Sequence, residues 1–388
     1  MDFQLTEEQQ LLKANARAFL EREIAPVAQE RDSRGPLTRE EAIGFIKQLM
    51  PFGYYNGGLS AEYGGSGLDR KTTGILHEEL SHAWAGLAGT ILMAGGSGGI
   101  MAAPETRRKE LTERVRVGEA IGAGAISEPN TGSNASGIET SATLDGDDWV
   151  VNGTKAWISN GPICDHVLVA VQTDRASGRA GVRWILVEKE VSPFAVTRSN
   201  RLLGLRAWPN GELSFQDCRV PLQNLRGPAD AARSAAGRRV WSFEIPRSML
   251  AVTAAGIAQA AIDASISYAR ERQQFGRPIA AFQLVQEMIA DMIIETEAAR
   301  LLAYQALDLL DRGEDCSWQA AAAKAYATEM AVRATSKAIE VHGAMGLTED
   351  LPIERYFRDA RALTIPDGTT EIQKLIVGRV RTGVQAFT

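Results

Sequence analysis

"DDWVVNGTKAWIS", residues 147–159, alternates apolar and polar side chains in a chain whose flanks repeat apolar residues at helical spacing. Alternation with period two marks a half-buried strand, because successive side chains leave a strand on opposite faces. Its Asn152-Gly153 pair tolerates the positive φ of a tight turn, so the spacing predicts a type I′ hairpin there. "DHVLVAVQT", "VRWILVEKE" and "GELSFQDCRV" follow as further short strands, divided by turns such as "DRASGRAG". Residues 123–228 thus read as a small antiparallel β domain, a barrel or a sandwich.

Both flanks read as helix. In residues 1–122, Thr6 and Gln9 form a capping-box signal before "QLLKANARAFLEREI", with Leu11, Ala14, Ala18 and Leu20 suiting one face. "TTGILHEELSHAWAGLAGTILMAGG" reads as a further helix or pair of helices. In residues 229–388 the long helical stretches are "AAGIAQAAIDASISYARERQQF", "FQLVQEMIADMIIETEAARLLAYQALDLLDRG", "AAAKAYATEMAVRATSKAIEVHG" and "TEIQKLIVGRVRTGV". Gly313 is placed to cap the second of them. The expected architecture is α+β and multidomain: an N-terminal α-helical domain, a middle antiparallel β-barrel or sandwich domain, and a C-terminal four-helix bundle.

The bulk numbers narrow the function. A chain of 388 residues exceeds one ordinary core. A net charge of −6 argues against a nucleic-acid partner. No apolar run reads as a membrane span, and "MDFQLTEEQQLL" lacks the basic and apolar regions of a signal peptide. Cys164, Cys218 and Cys316 lie far apart and form no CxxC pair, which suits thiols in a reducing cytoplasm. His77, His82, His166 and His342 are too scattered for a zinc set.

Several local signals carry both a bland and a chemical reading. "GGSGG", 95–99, suits a phosphate loop or, more plainly, a helix break. "GAGAIS", 122–127, lacks the third glycine and the setting of a Rossmann turn. "SEPNTGSN", 127–134, offers N–H groups and hydroxyls to a polar ligand, though an ordinary turn explains it. "ERQQFGRP", 271–278, suits a diphosphate and an adenine, or a solvated helix end. Trp157 and Ser159 share a strand face and would back a flat heterocycle, or be a core Trp beside a structural Ser. "TIPDGTTEIQ", 364–373, places Asp367 in a turn before a helix, where an anion is favoured; an N-cap Asp is the bland alternative.

Taken in order, these pieces resemble the acyl-CoA dehydrogenase family of flavoenzymes over nearly the full length. The resemblance rests on "SEPNTGSNASGIET", "VNGTKAWISNG", "GELSFQDCRVP", "GIAQAAI", "ERQQFGRPI", "FQLVQEMIADM", "AIEVHGAMGL" and "RYFRDARALTIPDGTTEIQ" together. It implies one FAD per subunit, an acyl-CoA substrate, an electron-transfer flavoprotein or similar acceptor, and a homotetramer or dimer in the cytoplasm. By position, Ile126, Ser127 and Ser133 would line the flavin pyrimidine and pyrophosphate, Ser133 also reaching the substrate. Trp157 would pack on the flavin ring system and Ser159 would reach toward N5. Arg272 and Phe275 would come from a neighbouring subunit, with Gln283 near the adenine. Glu340 and Gly343 of "EVHGAMG" would approach the pyrophosphate, and Thr369 and Glu371 would close over the cofactor. Phe243, Glu244 and Arg247 would face the acyl-CoA.

The family removes the substrate α-proton with a carboxylate while the β-hydride passes to flavin N5. The resemblance casts Asp367 as that base, with its own backbone N–H gripping the thioester carbonyl. Here the chain departs from the family, which usually carries Glu in an "EGT" motif. Asp is shorter by one methylene, about 1.5 Å, and a misplacement of that size can cost about a hundredfold in rate. Some members place the base on a bundle helix, but the matching Pro246 cannot serve, and Glu244 is a distant reserve. Glu340 and Ala344 replace the usual Gln and second Gly, and Pro366 replaces a frequent aromatic. Asp367, Pro366 and the small residues near 94–99 favour a short, branched or alicyclic acyl group, as in degradation of fatty or alicyclic acids. The alternatives are a repurposed member performing elimination or desulfination, one acting on a carrier-protein thioester, or a flavin-binding protein without catalysis.

Overall fold

A computed structural model describes residues 4–95, 103–135, 137–228 and 243–386. In the first zone, helix α1 (Glu7–Phe19) opens on Thr6, whose hydroxyl accepts from the Gln9 N–H while the Gln9 side chain accepts from the Thr6 N–H. Its packed face is Leu12, Ala16 and Phe19, continued by Leu20. The expected stripe fails: Leu11, Ala14 and Ala18 face solvent. Both stripes have helical spacing, and the surface beneath the helix selects between them. Helices α2 (Ala25–Arg31), α3 (Arg39–Leu49), α4 (Arg70–Ala94) and α5 (Glu105–Arg116) complete this zone. Helix α4 breaks at Trp84, where φ is −159° and ψ 94°, so it is a pair of helices in line. Most of "GGSGG", residues 96–99, lies outside the described residues.

The middle zone is one curled sheet of β1 (Gly122–Ala125), β2 (Ser141–Asp145), β3 (Asp148–Ser159), β4 (His166–Gln172), β5 (Val182–Glu188), β6 (Ala195–Ser199), β7 (Asn210–Pro221) and β8 (Leu225–Pro228). Its order is β6-β7-β3-β2-β4-β5-β8, with β1 beside β4. Neighbours run antiparallel except that β1 and β2 are parallel to β4. The sequence expectation of a hairpin at Asn152-Gly153 is corrected. The turn falls at Gly146-Asp147, where Asp145 pairs with Asp148, and Gly146 has φ +63°. Asn152-Gly153 instead sits inside β3 at a bulge against β7, between the Val151 and Gly153 pairings. The Asn152 amide donates to the Asp217 carboxylate at 3.1 Å and accepts from the Asp217 N–H at 2.8 Å. That local pairing satisfies the groups a bulge strands, so a dipeptide suited to a turn is absorbed in a continuous strand.

The last zone holds α6 (Glu244–Glu271), a small hairpin of β9 (Gln273–Gln274) and β10 (Arg277–Pro278), then α7 (Gln283–Asp311), α8 (Ser317–His342), α9 (Ile353–Leu363) and α10 (Thr370–Thr382). Gly313 caps α7 as expected, its N–H on Leu310 O and the Glu314 N–H on Leu309 O. Helix α9 is an element beyond the expected four. Helix α6 is long and apolar enough, by length and composition alone, to cross a membrane. However, 78% of its apolar window is buried inside the protein, which makes it a core helix.

Two cores result. One joins α1–α4 to the sheet through residues such as Leu80, Leu87, Ile91, Val151 and Phe215. The other fills the bundle, with Ala85 of α4 among Val252, Ala254, Ala303 and Ala327. Helix α4 belongs to both.

Gly153 has φ +148°, and a Cβ there would stand 2.7 Å from the Thr140 Cα. Gly153→Ala is therefore expected to destabilise the protein by about 1–3 kcal/mol. A thermal or urea midpoint equal to wild type would show that the bulge relaxes freely.

Candidate active site

Helix α9 ends at Leu363 and α10 begins at Thr370, leaving a turn of six residues, Thr364–Thr369. Asp367 has φ +54° and Gly368 φ +95°. Left-handed backbone suits Gly, and Asp tolerates it better than most residues. The N-cap of α10 is Thr369 rather than Asp367, so capping does not account for the acid.

Three side chains hold this turn from three directions. The ammonium of Lys324, in the middle of α8, donates to Thr364 O at 2.9 Å and Gly368 O at 2.8 Å. The amide of Gln373, on α10, donates to Asp367 O and Gly368 O, both at 2.9 Å. The guanidinium of Arg247, on the first turn of α6, donates to Asp367 O at 3.3 Å. Lys324 and Gln373 are fully buried. Thr370 ties the start of α10 to α8 by donating to the Glu329 carboxylate at 2.7 Å.

The electrostatics follow from burial. Loss of water raises the Asp367 carboxyl above its ordinary pKa, while the charges of Arg247 and Lys324 pull it back. Burial lowers the Lys324 ammonium to about 8, against the favourable charge of Asp367. Burial likewise lowers Arg247, opposed by Glu244 and Asp367. Arg247 also lies over the Phe243 ring at 5.1 Å. Phe243, Glu244, Arg247, Asp367, Thr369 and Glu371 are thus brought to one end of the bundle. A partly desolvated carboxylate under the influence of two cations is equipped to take a proton.

A second group forms where β1 meets β3. The Ala156 N–H donates to Ser127 O at 2.9 Å. The Lys155 ammonium donates to Ile126 O at 2.9 Å and to the Glu128 carboxylate at 2.7 Å. Glu128 also accepts from the N–H groups of Glu139 and Thr140. Burial lowers Lys155 to about 8. Burial would raise Glu128, but the bond from Lys155 and the two backbone donors outweigh it and its pKa falls. Between Lys155 and Ile158 the pairing with β7 slips, and Trp157 takes φ +63°. Its indole is 59% exposed, an apolar plane held open to solvent by an unusual backbone. Ser159 follows two residues on and is half-buried. This is not the packed Trp of the bland reading, and it fits a flat ring system. Ser133 lies exposed further along the loop.

The remaining residues lie elsewhere. Phe275 and Gly276 both have positive φ and make the two-residue turn between β9 and β10, with the Phe275 ring 92% exposed. Arg272 and Gln283 are exposed beside it. Tyr268 and His342 rings, 4.5 Å apart, bring the end of α8 to the same place, with Glu340 exposed there and Gly343 at φ +59°. Arg247 and Arg272 cap opposite ends of α6, about 37 Å apart at ~1.5 Å per residue. The length of α6 thus lies between the hairpin and the turn of Asp367.

Lys324, Gln373, Lys155 and Glu128 were not singled out in the sequence. A trace exists for Lys324, a lone charge in "AAAAKAYA" between the buried Ala320, Ala323 and Ala327.

The described residues thus present a partly buried acid at one end of the bundle and an exposed indole on the sheet. Models of the acyl-CoA dehydrogenase N-terminal, middle and C-terminal domains match residues 6–115, 123–218 and 236–381. The chain belongs to the acyl-CoA dehydrogenase family, whose members are flavin-dependent oxidoreductases. The short-chain-specific acyl-CoA dehydrogenase of Clostridium acetobutylicum is 36% identical over 97% of this chain and 98% of its own. Butyryl-CoA dehydrogenase from Megasphaera elsdenii superposes with a TM-score of 0.90 at 31% identity, covering 98% and 100%. A glutaryl-CoA dehydrogenase from Mycobacterium smegmatis in complex with FADH2 gives 0.89 at 26% identity, covering 99% and 97%.

Removing the Lys155 ammonium would leave Glu128 charged and buried without its cation. Lys155→Met is expected to cost about 3–5 kcal/mol, read as a fall in the thermal midpoint. An unchanged midpoint would show that Glu128 protonates or rehydrates at little cost.

Proposed function

We propose that the protein introduces an α,β double bond into an acyl-CoA thioester, with Asp367 as the base that takes the α-proton. The observation that carries this reading is the acid at 367, outside any capping role and partly desolvated, in a turn whose backbone carbonyls are held by Lys324, Gln373 and Arg247. Bound FAD would supply the two-electron acceptor for the hydrogen lost from the β-carbon. The chain's own part is to orient and to exclude water. The Asp367 N–H would face the thioester carbonyl and stabilise enolate-like charge. Phe243, Glu244 and Arg247 would line the acyl-CoA path. Ile126, Ser127, Ser133, Trp157 and Ser159 would hold the flavin half of the cofactor, with Thr369 and Glu371 at its edge.

Arg272, Phe275, Gln283, Glu340 and Gly343 would serve the adenine half in a neighbouring protomer, because the length of α6 separates them from Asp367. The functional unit is then at least a dimer, and a tetramer in its full form. Exposed Leu284, Ile294 and Leu301 on α7, with Phe275 and Leu347 nearby in the fold, supply apolar surface for that assembly. Electrons would leave to an electron-transfer flavoprotein or similar acceptor, in the cytoplasm. The short base and Pro366 favour a short, branched or alicyclic acyl group.

The test is turnover across an acyl-CoA panel with an artificial electron acceptor. Saturated short, branched or alicyclic thioesters are expected to bleach the flavin. A flavin that none of them bleaches would point to a repurposed activity on other thioesters. Asp367→Asn should lower kcat by about 10²–10⁴-fold; full activity in that variant would remove Asp367 from the chemistry. Because the base works deprotonated and its pKa is raised, kcat/KM should fall as pH drops through that raised value. Sedimentation should show a dimer or larger species, and a monomer that binds FAD tightly would sink the shared-site reading.

A further inference from the structure

We propose that Lys324 is the positioning residue for Asp367: its buried ammonium fixes the catalytic turn and places on it a positive charge that favours the ionised form of the base. This rests on the reading of Asp367 as the base. Lys324 leaves α8 among buried alanines and reaches the carbonyls on either side of Asp367, Thr364 O and Gly368 O. Burying an ammonium is costly, and two carbonyls do not demand a charge. Gln373 shows this directly, since its neutral amide holds Asp367 O and Gly368 O from the other side at 2.9 Å each. The turn is therefore already clamped by a neutral donor. What Lys324 adds is a compact point charge, weakly screened, on the turn that carries Asp367, and it opposes the rise that burial imposes on that carboxyl.

Among the described residues, the other charged groups around this pair are few. From α6 come Arg247 and Glu244, and Arg247 touches the backbone of Asp367. Arg361, near the end of α9, bonds the Thr364 hydroxyl. Glu329 lies one turn along α8, and its carboxylate accepts from Thr370. Glu371 and Arg379 stand on α10, acting on Lys324 and Arg247 respectively. Among the described residues, Lys324 and Arg247 are the two cations that act on Asp367. Of the two, only Lys324 is wholly enclosed, so its field is the less screened by water.

The charge and the clamp separate by substitution in the flavin-loaded holoenzyme. Lys324→Met removes both, and Gln373→Met removes only a clamp. Both are expected to lower kcat, by about 10–100-fold for a displaced base. Only Lys324→Met should also move the acid limb of the kcat/KM profile upward, by roughly one pH unit, because the carboxylate loses a favourable charge and protonates sooner. Lys324→Arg should return the limb toward wild type. Should Lys324→Met fail to fold or to retain flavin, Lys324→Gln, a neutral donor, carries the same comparison. A folded, neutral variant whose limb stays at the wild-type pH, or a Gln373→Met limb that moves equally, overturns the role of Lys324. The parent reading fails separately: if Asp367→Asn keeps full turnover, Asp367 is not the base.

Discussion

The structure depends on one helix being buried from both sides. Helix α4 passes under the sheet with one half and into the bundle with the other, and the break at Trp84 lets its axis serve both. On the bundle side, the Glu78 carboxylate accepts from Arg300 and Tyr304 of α7, both at 2.8 Å. His77 meets the Thr253 hydroxyl of α6 at 2.9 Å. On the sheet side, the Asn160 amide at the end of β3 donates to Thr90 O at 2.9 Å. Polar groups buried this way are stable only while every partner is present, so they fix the register of sheet against bundle more tightly than apolar contact alone. The Trp157 platform, three residues before Asn160, takes its place in the fold from that register.

The same economy recurs at the acid. A carboxylate poor in water is a stronger base and a less stable anion, and the two properties rise together. The protein offsets the second with cations while keeping most of the first, since the carboxyl remains above its ordinary pKa. A left-handed backbone at Asp367 and Gly368 turns the chain sharply enough to expose three carbonyls to donors from α6, α8 and α10. The turn that carries the acid is thus tied to three helices rather than left as a free loop.

Much of this was legible in the chain. The change of period near residue 147 separated sheet from helix, the Thr6 and Gln9 pair marked a helix start, and Gly313 marked a helix end. Each is a local rule whose cause lies within a few residues. The misreadings have a shared origin. Asn152-Gly153 suits both a turn and a bulge, and the partner that decides, Asp217, is distant in sequence. Leu11, Ala14 and Ala18 make as regular a stripe as Leu12, Ala16 and Phe19, and only the surface below distinguishes them.

What the sequence determined by itself was the order of helical and strand zones, the family motifs, and the identity of the acid at 367, because these are properties of short stretches. What only the tertiary structure decided was how that acid is held. Lys324 and Gln373 reach it from other parts of the chain, and buried ion pairs and backbone clamps form between segments whose spacing in sequence carries no record of their contact. Electrostatics acts through space, and only the packed helices set those distances.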